Sequence, residues 1–363
     1  MQHKEFRART GKNIKSLVQQ AKNFTKEQRL DEALTTYEDV LKENPEAAGA
    51  YMGIGKIHLR KGRLDKAEEY FTGALHVTRK VAPVLTMLAS VAWKRGDVNK
   101  ALKMSQEALD SDPKLIQAAL MRGKILLQAE HYEEARVIVA ETLKYNPNSN
   151  EAEILLARIF LKMDRTNEAI DHLNRLLVRD PSSWSAYFIL AQIHLRCKEY
   201  ESASNAAGNS LRINPDNPRA SLCLSQALLG TAQYLKAVDI LENLLAEQPD
   251  MWNVKMLLSW AYFLNNDLEA AKTLLKRMAA GIRNLGAVHF LLGDVYTAQE
   301  LFQAATAEYK AAVLHSEDLV EKYPALKELA EKEMSDRDKA SAFKQLLSEI
   351  RGNSFEGMFE ESE

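Results

Sequence analysis

The 363-residue sequence predicts an all-α solenoid of stacked helical hairpins, and three observations predict it. Apolar residues recur at i, i+3, i+4 and i+7 almost from end to end, which is helical spacing, and no stretch alternates as a strand does. Nine prolines and fifteen glycines are few for the length. The third observation is an internal period of 34 residues. Stepping by 34 from Ala33 gives Ala67, Ala101, Ala135, Ala169, Ala203, Ala237, Ala271 and Ala305, with no insertion.

The elements of one unit follow in order. Twelve residues before each alanine stands a small residue: Ala21, Gly55, Ala89, Gly123, Ala157, Ala191, Ser225, Ser259 and Gly293. A small residue at one fixed point on each of two helices lets their backbones approach, while larger neighbours such as Ile54, Leu88, Leu156, Leu190, Leu224, Leu258 and Leu292 fill the space beside them. Twelve residues after the alanine, Pro45, Pro113, Pro147, Pro181, Pro215 and Pro249 remove an N–H and stop the second helix. Arg79, Arg283 and Glu317 stand there in the other units. Arg122 in the leucine column, and Glu153 and Lys255 at positions usually large and apolar, mark places of uneven packing.

A small residue, an alanine twelve on, then Tyr37, Phe71, Leu173, Leu241, Leu275 or Tyr309, then proline, all at a period of 34, closely resembles the tetratricopeptide repeat. The resemblance covers nine units, residues 14–319, starting at 14, 48, 82, 116, 150, 184, 218, 252 and 286. The best formed is 48–81, with Tyr51, Ile54, Gly55, Ala67, Phe71 and Ala74. It implies a right-handed superhelical α-solenoid whose first helices line a concave groove. A basic arm, 1–13, precedes the array. Residues 320–351 are expected to cap it: Ser335-Asp336 reads as an N-cap before the stripe Ala340, Phe343, Leu346, Leu347, Ile350. Residues 352–363, with four glutamates and no helical pattern, read as a mobile acidic tail.

Composition narrows the function. Forty-eight Lys and Arg nearly cancel 50 Asp and Glu, so any electrostatic binding is local. Cys197 and Cys223 are too few for a disulfide scaffold or a four-thiolate zinc site and suit a reducing, cytoplasmic setting. No apolar run reaches the roughly 18 residues of a membrane helix, so no membrane span is expected. Gly53-Ile54-Gly55-Lys56 lacks the strand, the glycine spacing and the following Ser or Thr of a phosphate loop. His58 and His194 share a column but lie far apart in the array. The sequence therefore offers no catalytic residue, no metal site, no cofactor and no small-molecule substrate, and we expect a non-enzymatic protein.

The resemblance assigns the groove to the second, fifth, ninth, twelfth and thirteenth positions of each unit. The ninth position is basic at Lys22, Lys56, Lys124 and Arg158, and the thirteenth at Lys26, Arg60, Lys94, Lys162 and Arg196. The fifth position adds Met52, Leu120, Ile154 and Phe188, an apolar stripe that is either an open binding wall or covered by the superhelix. Apolar steps beside basic rungs suit an acidic-apolar peptide segment of a protein partner. The pattern that holds the acidic tails of heat-shock chaperones is absent: the first window gives Val18 and Lys22, then Gly53, then Pro83 and Met87. The resemblance thus points to a scaffold or adaptor. An assembly or regulatory subunit of a signalling, secretion or pilus machine stays open as the alternative. RNA binding is a third class, against which the neutral charge and few groove aromatics count. The tail has the composition of the expected ligand, so self-association through it is one role and a solubilising end the other.

Overall fold

The computed structural model describes the backbone of residues 2–280, 285–315 and 325–351, and among these the chain is helical with no strand. The tail 352–363 lies outside the described residues, as do the side chains of the basic arm. Two compact units divide the chain, Met1–Pro181 and Ser182–Glu363.

In the first unit, five hairpins pair α1 (Gln2–Lys26) with α2 (Leu30–Glu43), α3 (Ala48–Arg60) with α4 (Leu64–Val77), α5 (Val81–Lys94) with α6 (Val98–Ser111), α7 (Ile116–Gln128) with α8 (Tyr132–Tyr145), and α9 (Asn150–Lys162) with α10 (Thr166–Arg179). In the second, α11 (Trp184–Arg196) pairs with α12 (Tyr200–Ile213), α13 (Pro218–Gly230) with α14 (Tyr234–Glu247), α15 (Trp252–Leu264) with α16 (Leu268–Ala279), and α17 (Leu285–Ala298) with α18 (Phe302–Leu314). We call the odd helices A and the even ones B. Within each unit every A helix packs on its own B helix and on the next A helix, so the hairpins stack.

Steric fit at two columns sets this packing. All nine alanines of the period, from Ala33 to Ala305, have no exposed surface. The nine small residues of the earlier column are buried too. Where that column holds glycine, the B helix brings a larger side chain onto it: a Cβ on Gly55, Gly123 or Gly293 would lie 2.5, 2.4 or 2.3 Å from Phe71, Val139 or Tyr309. Elsewhere the corresponding B-helix residue is Ser105 or Ala207, the leucines Leu173, Leu241 and Leu275, or Tyr37. Tyr37 takes the other solution and fills the space over Gly53 of the following hairpin, where a Cβ would lie 2.4 Å from its ring.

The turns inside the hairpins repeat as strictly as the columns. Gln28, Gly62, Gly96, Glu130, Asp164, Lys198, Ala232, Asn266 and Glu300, 34 residues apart, all have φ between 56° and 82°. Each A helix thereby ends in a left-handed residue with a six-to-one hydrogen bond, as Arg63 N–H donates to His58 O at 2.9 Å and Gln233 N–H to Leu228 O at 2.8 Å. Only two of the nine are glycine, and the others accept the left-handed conformation at roughly 1–2 kcal/mol each.

Two of the charged residues in apolar columns, Arg122 and Glu153, have hydrogen-bond partners, although Arg122 Nε is buried without one. Arg122 donates from Nη1 to Leu102 O at 2.8 Å, reaching past the short Ser105. Glu153, 4% exposed, takes His172 Nδ1 at 2.5 Å and Arg179 Nη2 at 3.3 Å. In the second unit the helix Asp336–Arg351 caps the last hairpin. Ser335 Oγ accepts from Asp338 N–H at 3.2 Å, Ala340 and Phe343 are fully buried, and the Phe343 ring lies 6.3 Å from that of Tyr309. The side chains of Leu347 and Ile350 lie outside the described residues.

Gly55→Ala is expected to lower unfolding free energy by about 1–3 kcal/mol through overpacking, and Phe71→Leu to recover part of that loss in the double variant. Denaturant titration checks it; strictly additive losses would show that the two side chains do not meet. Ala232→Gly, at φ 58°, is expected to stabilise by about 1 kcal/mol in the same assay.

Candidate binding face

Ninth and thirteenth positions are four residues apart, one turn along the same helix face. In the first unit they place Lys22 and Lys26 on α1, Lys56 and Arg60 on α3, Lys94 on α5, Lys124 on α7, and Arg158 and Lys162 on α9, all exposed. Adjacent A helices contact each other, so these side chains form a row across α1, α3, α5, α7 and α9. Counted from residue 14, these five helices carry ten Lys or Arg and two Asp or Glu. The five B helices carry fifteen Asp or Glu and eight Lys or Arg. The second unit lacks this division: its four A helices hold three cations and one acid, and its four B helices six of each.

The two rows of the first unit also differ in how their charge is met. Acids of the B helices bind cations of neighbouring turns and hairpins: Asp31 with Lys61 at 2.6 Å, Glu32 with Arg29 at 2.6 Å, Asp65 with Arg95 at 2.7 Å, Glu168 with Arg165 at 2.7 Å. Glu68 holds both Lys100, at 2.8 Å, and Arg95, and those two cations keep its carboxyl below the usual carboxylate range. Among the described residues no carboxylate pairs with Lys22, Lys26, Lys56, Arg60, Lys94, Lys124 or Lys162. These seven side chains of the A row thus stand without a carboxylate partner among the described residues.

Apolar surface lies beside it. Leu59, Trp93, Leu127 and Leu161, the twelfth positions, are half-buried, and Trp93 Nε1 donates to the Gln128 side chain. Of the fifth positions, Met52 and Ile154 are half-buried, whereas Leu120 is 3% exposed. Phe188, 6% exposed, and the exposed Arg196 belong to the second unit, where Arg219 lies over the Phe188 ring at 5.8 Å. Leu120 and Phe188 therefore serve packing, and the apolar part of the face comes from Met52, Ile154 and the twelfth column. The contrast between A and B rows was not anticipated from single columns; it emerges once charges are summed by row in the 34-residue register.

Of the other singled-out side chains, His58, His194 and Cys223 sit in packed or paired settings. His58 is 6% exposed and stacks on Tyr70 at 5.6 Å, and burial, with Lys66 and Arg63 nearby, lowers its pKa. His194 Nδ1 meets Glu199 at 2.7 Å. Burial pushes the Cys223 thiol up to about 12, and Cys197 is exposed.

Comparisons with known proteins bear on the fold. A family model described as tetratricopeptide repeat matches residues 18–80, and one described as the C-terminal ARM domain of tetratricopeptide repeat protein 21 matches residues 79–257. No curated protein sequence matches the chain. Among solved structures, the human IFIT1 dimer with m7Gppp-AAAA is 13% identical with a TM-score of 0.55, covering 93% of this chain and 86% of its own. PilW, described as a widely conserved type IV pilus biogenesis factor, is 18% identical with a TM-score of 0.51, covering 58% of this chain and 98% of its own.

Charge reversal of exposed residues that touch no core is expected to leave stability alone. The double change Lys56→Glu and Lys124→Glu should move the melting temperature by less than about 2 °C. A fall of many degrees in differential scanning calorimetry would mean that these side chains are packed rather than presented.

Proposed function

Because this chain belongs to the tetratricopeptide-repeat family, we propose that it is a non-enzymatic scaffold or adaptor whose A-helix row in the first unit holds acidic-apolar segments of partner proteins. The observation that supports this reading is that Lys56, Arg60, Lys94 and Lys124, exposed and without a carboxylate partner among the described residues, lie beside half-buried Leu59, Trp93 and Leu127. Exposed ion pairs contribute at most about 1 kcal/mol each, so no single lysine holds a partner. Their sum steers the approach of an acidic segment and rejects basic ones, while apolar side chains against the twelfth column supply the desolvated contact. Two unpaired cysteines, one exposed, go with residence in the cytoplasm.

Two other readings meet the same experiment. PilW is named for pilus biogenesis and IFIT1 was solved with a capped oligonucleotide, and at 18% and 13% identity each shares the fold with this chain. An assembly subunit would bring down a fixed set of partners that salt leaves in place, and an RNA-binding protein would lose its captured material to nuclease.

The test is affinity capture from lysate with the full chain and with the Lys56→Glu, Lys124→Glu variant, at low and high salt, with and without nuclease, read by quantitative mass spectrometry. We expect proteins that nuclease leaves bound, that salt releases, and that the variant recovers at roughly one tenth of the wild-type amount or less. Equal recovery by both chains would move the binding site off the A row.

A further inference from the structure

A groove between α6 and α8 of the first unit has no role in the A row. α7 packs against both helices and forms its floor with Ile116 and Ala119, while Leu109 of α6 and Ile138 of α8 line the walls. Its volume is about 540 Å³, the size of a binding cleft rather than of a packing defect. None of the A-row cations lines it. We propose that this groove takes a second kind of partner segment, one that lays a large apolar side chain on the floor and sets an Arg or Lys beside it. The proposal goes beyond the reading of the A row and does not depend on it.

Charge complementarity decides the occupant. Asp110 on α6 and Glu141 on α8 line the groove from opposite walls, and both are exposed. In the 34-residue register Asp110 stands level with Lys144, between Glu141 and Tyr145. Among the described residues neither carboxylate forms an ion pair. Gln106 Nε2 donates to Asp110 Oδ1 at 2.7 Å, and Arg122, whose charge Asp110 favours, donates from Nη1 to Leu102 O at 2.8 Å. The Tyr145 ring adds an independent sign. It is 66% exposed and already receives a cation, Lys114 Nζ, 5.9 Å from its centroid. A guanidinium arriving over that ring would also reach Glu141, one turn earlier on the same helix face. Arg suits this place better than Lys, because its plane stacks on the ring while its edge donates to the carboxylate.

The second unit repeats the groove with other charges. Between α14 and α16, four repeats on, Leu245 and Leu274 stand where Leu109 and Ile138 do, and the volume is about 580 Å³. Ala246 replaces Asp110, however, and Arg277 replaces Glu141. A basic segment would meet like charge there, so charge rather than shape confines it to the first groove. With an acidic segment on the A row as well, the first unit would join two partners of opposite charge.

The test selects a displayed library of random twelve-residue peptides on the full chain and measures the selected peptides by fluorescence anisotropy at low salt. We expect a class that carries Arg or Lys next to Leu, Ile, Met or Phe. The affinity of that class should fall at least about tenfold in the variant Asp110→Lys, Glu141→Lys, and about threefold in Tyr145→Ala. It should rise about threefold in Lys114→Gln, which removes the resident cation, and stay within about twofold in Lys56→Glu, Lys124→Glu. Asp110, Lys114, Glu141 and Tyr145 are all exposed, and should the double reversal fail to fold, the opposite effects of Lys114→Gln and Tyr145→Ala carry the test. Absence of a basic-apolar class overturns the proposal, and so does a class indifferent to Asp110, Glu141 and Lys114. Binding lost only in Lys56→Glu, Lys124→Glu assigns the peptides to the A row, which rejects the groove and leaves the A-row reading in place.

Discussion

The close approach of the two helices in each hairpin is the constraint from which the rest of the structure follows. Nine alanines with no exposed surface lie at one level of the B helices, and nine small residues lie at the matching level of the A helices. An alanine buries little area, so its contribution is geometric: it lets backbones close until Ile54, Leu156 and Leu258 reach the core. Fixing that contact fixes rotation about each helix axis. With rotation fixed, the Lys and Arg at the ninth and thirteenth positions of the first unit's A helices are exposed, whereas Asp294, the ninth residue of the last repeat, is buried and accepts from Tyr309 Oη at 2.7 Å.

In the first unit they carry positive charge, and holding it there is inexpensive. Two lysines about 10 Å apart in water repel by about 0.4 kcal/mol before screening, and physiological salt cuts that further. Fold stability therefore does not select against the row. The B row is handled differently in part, because Asp31, Asp65 and Glu68 bind cations of the next hairpin, at Lys61, Arg95 and Lys100, and so help join repeats. Buried Leu120 limits how much apolar surface the A row offers, leaving Met52, Ile154 and the twelfth column.

Much of this was legible in the sequence, and the rest was hidden for physical reasons. The alanine column could be read because no other residue fits where two backbones meet, and Ser335 before Phe343 marked the cap because a helix start needs an acceptor for its free N–H groups. The left-handed turns could not be read from composition: only Gly62 and Gly96 announce them, while Lys198 and Glu300 adopt the same φ because the flanking helices leave them no alternative. The fifth column was open to two readings, an exposed wall or one covered by neighbouring helices, and it divides: Leu120 and Phe188 are buried, while Met52 and Ile154 stay half-buried. Arg122 and Glu153 suggested poor packing and instead have hydrogen-bonded partners supplied by other helices, which no single column reveals.

The central claim is that the A row, and not the B row, meets the acidic partner. Lysine acetylation footprinting of the full chain, with and without captured partner at low salt, tests it most directly. The account predicts that Lys56, Lys94 and Lys124 are protected while exposed Lys66 on α4 and Lys103 on α6 acetylate at an unchanged rate. Protection of Lys66 and Lys103, with Lys56, Lys94 and Lys124 still reactive, would contradict it.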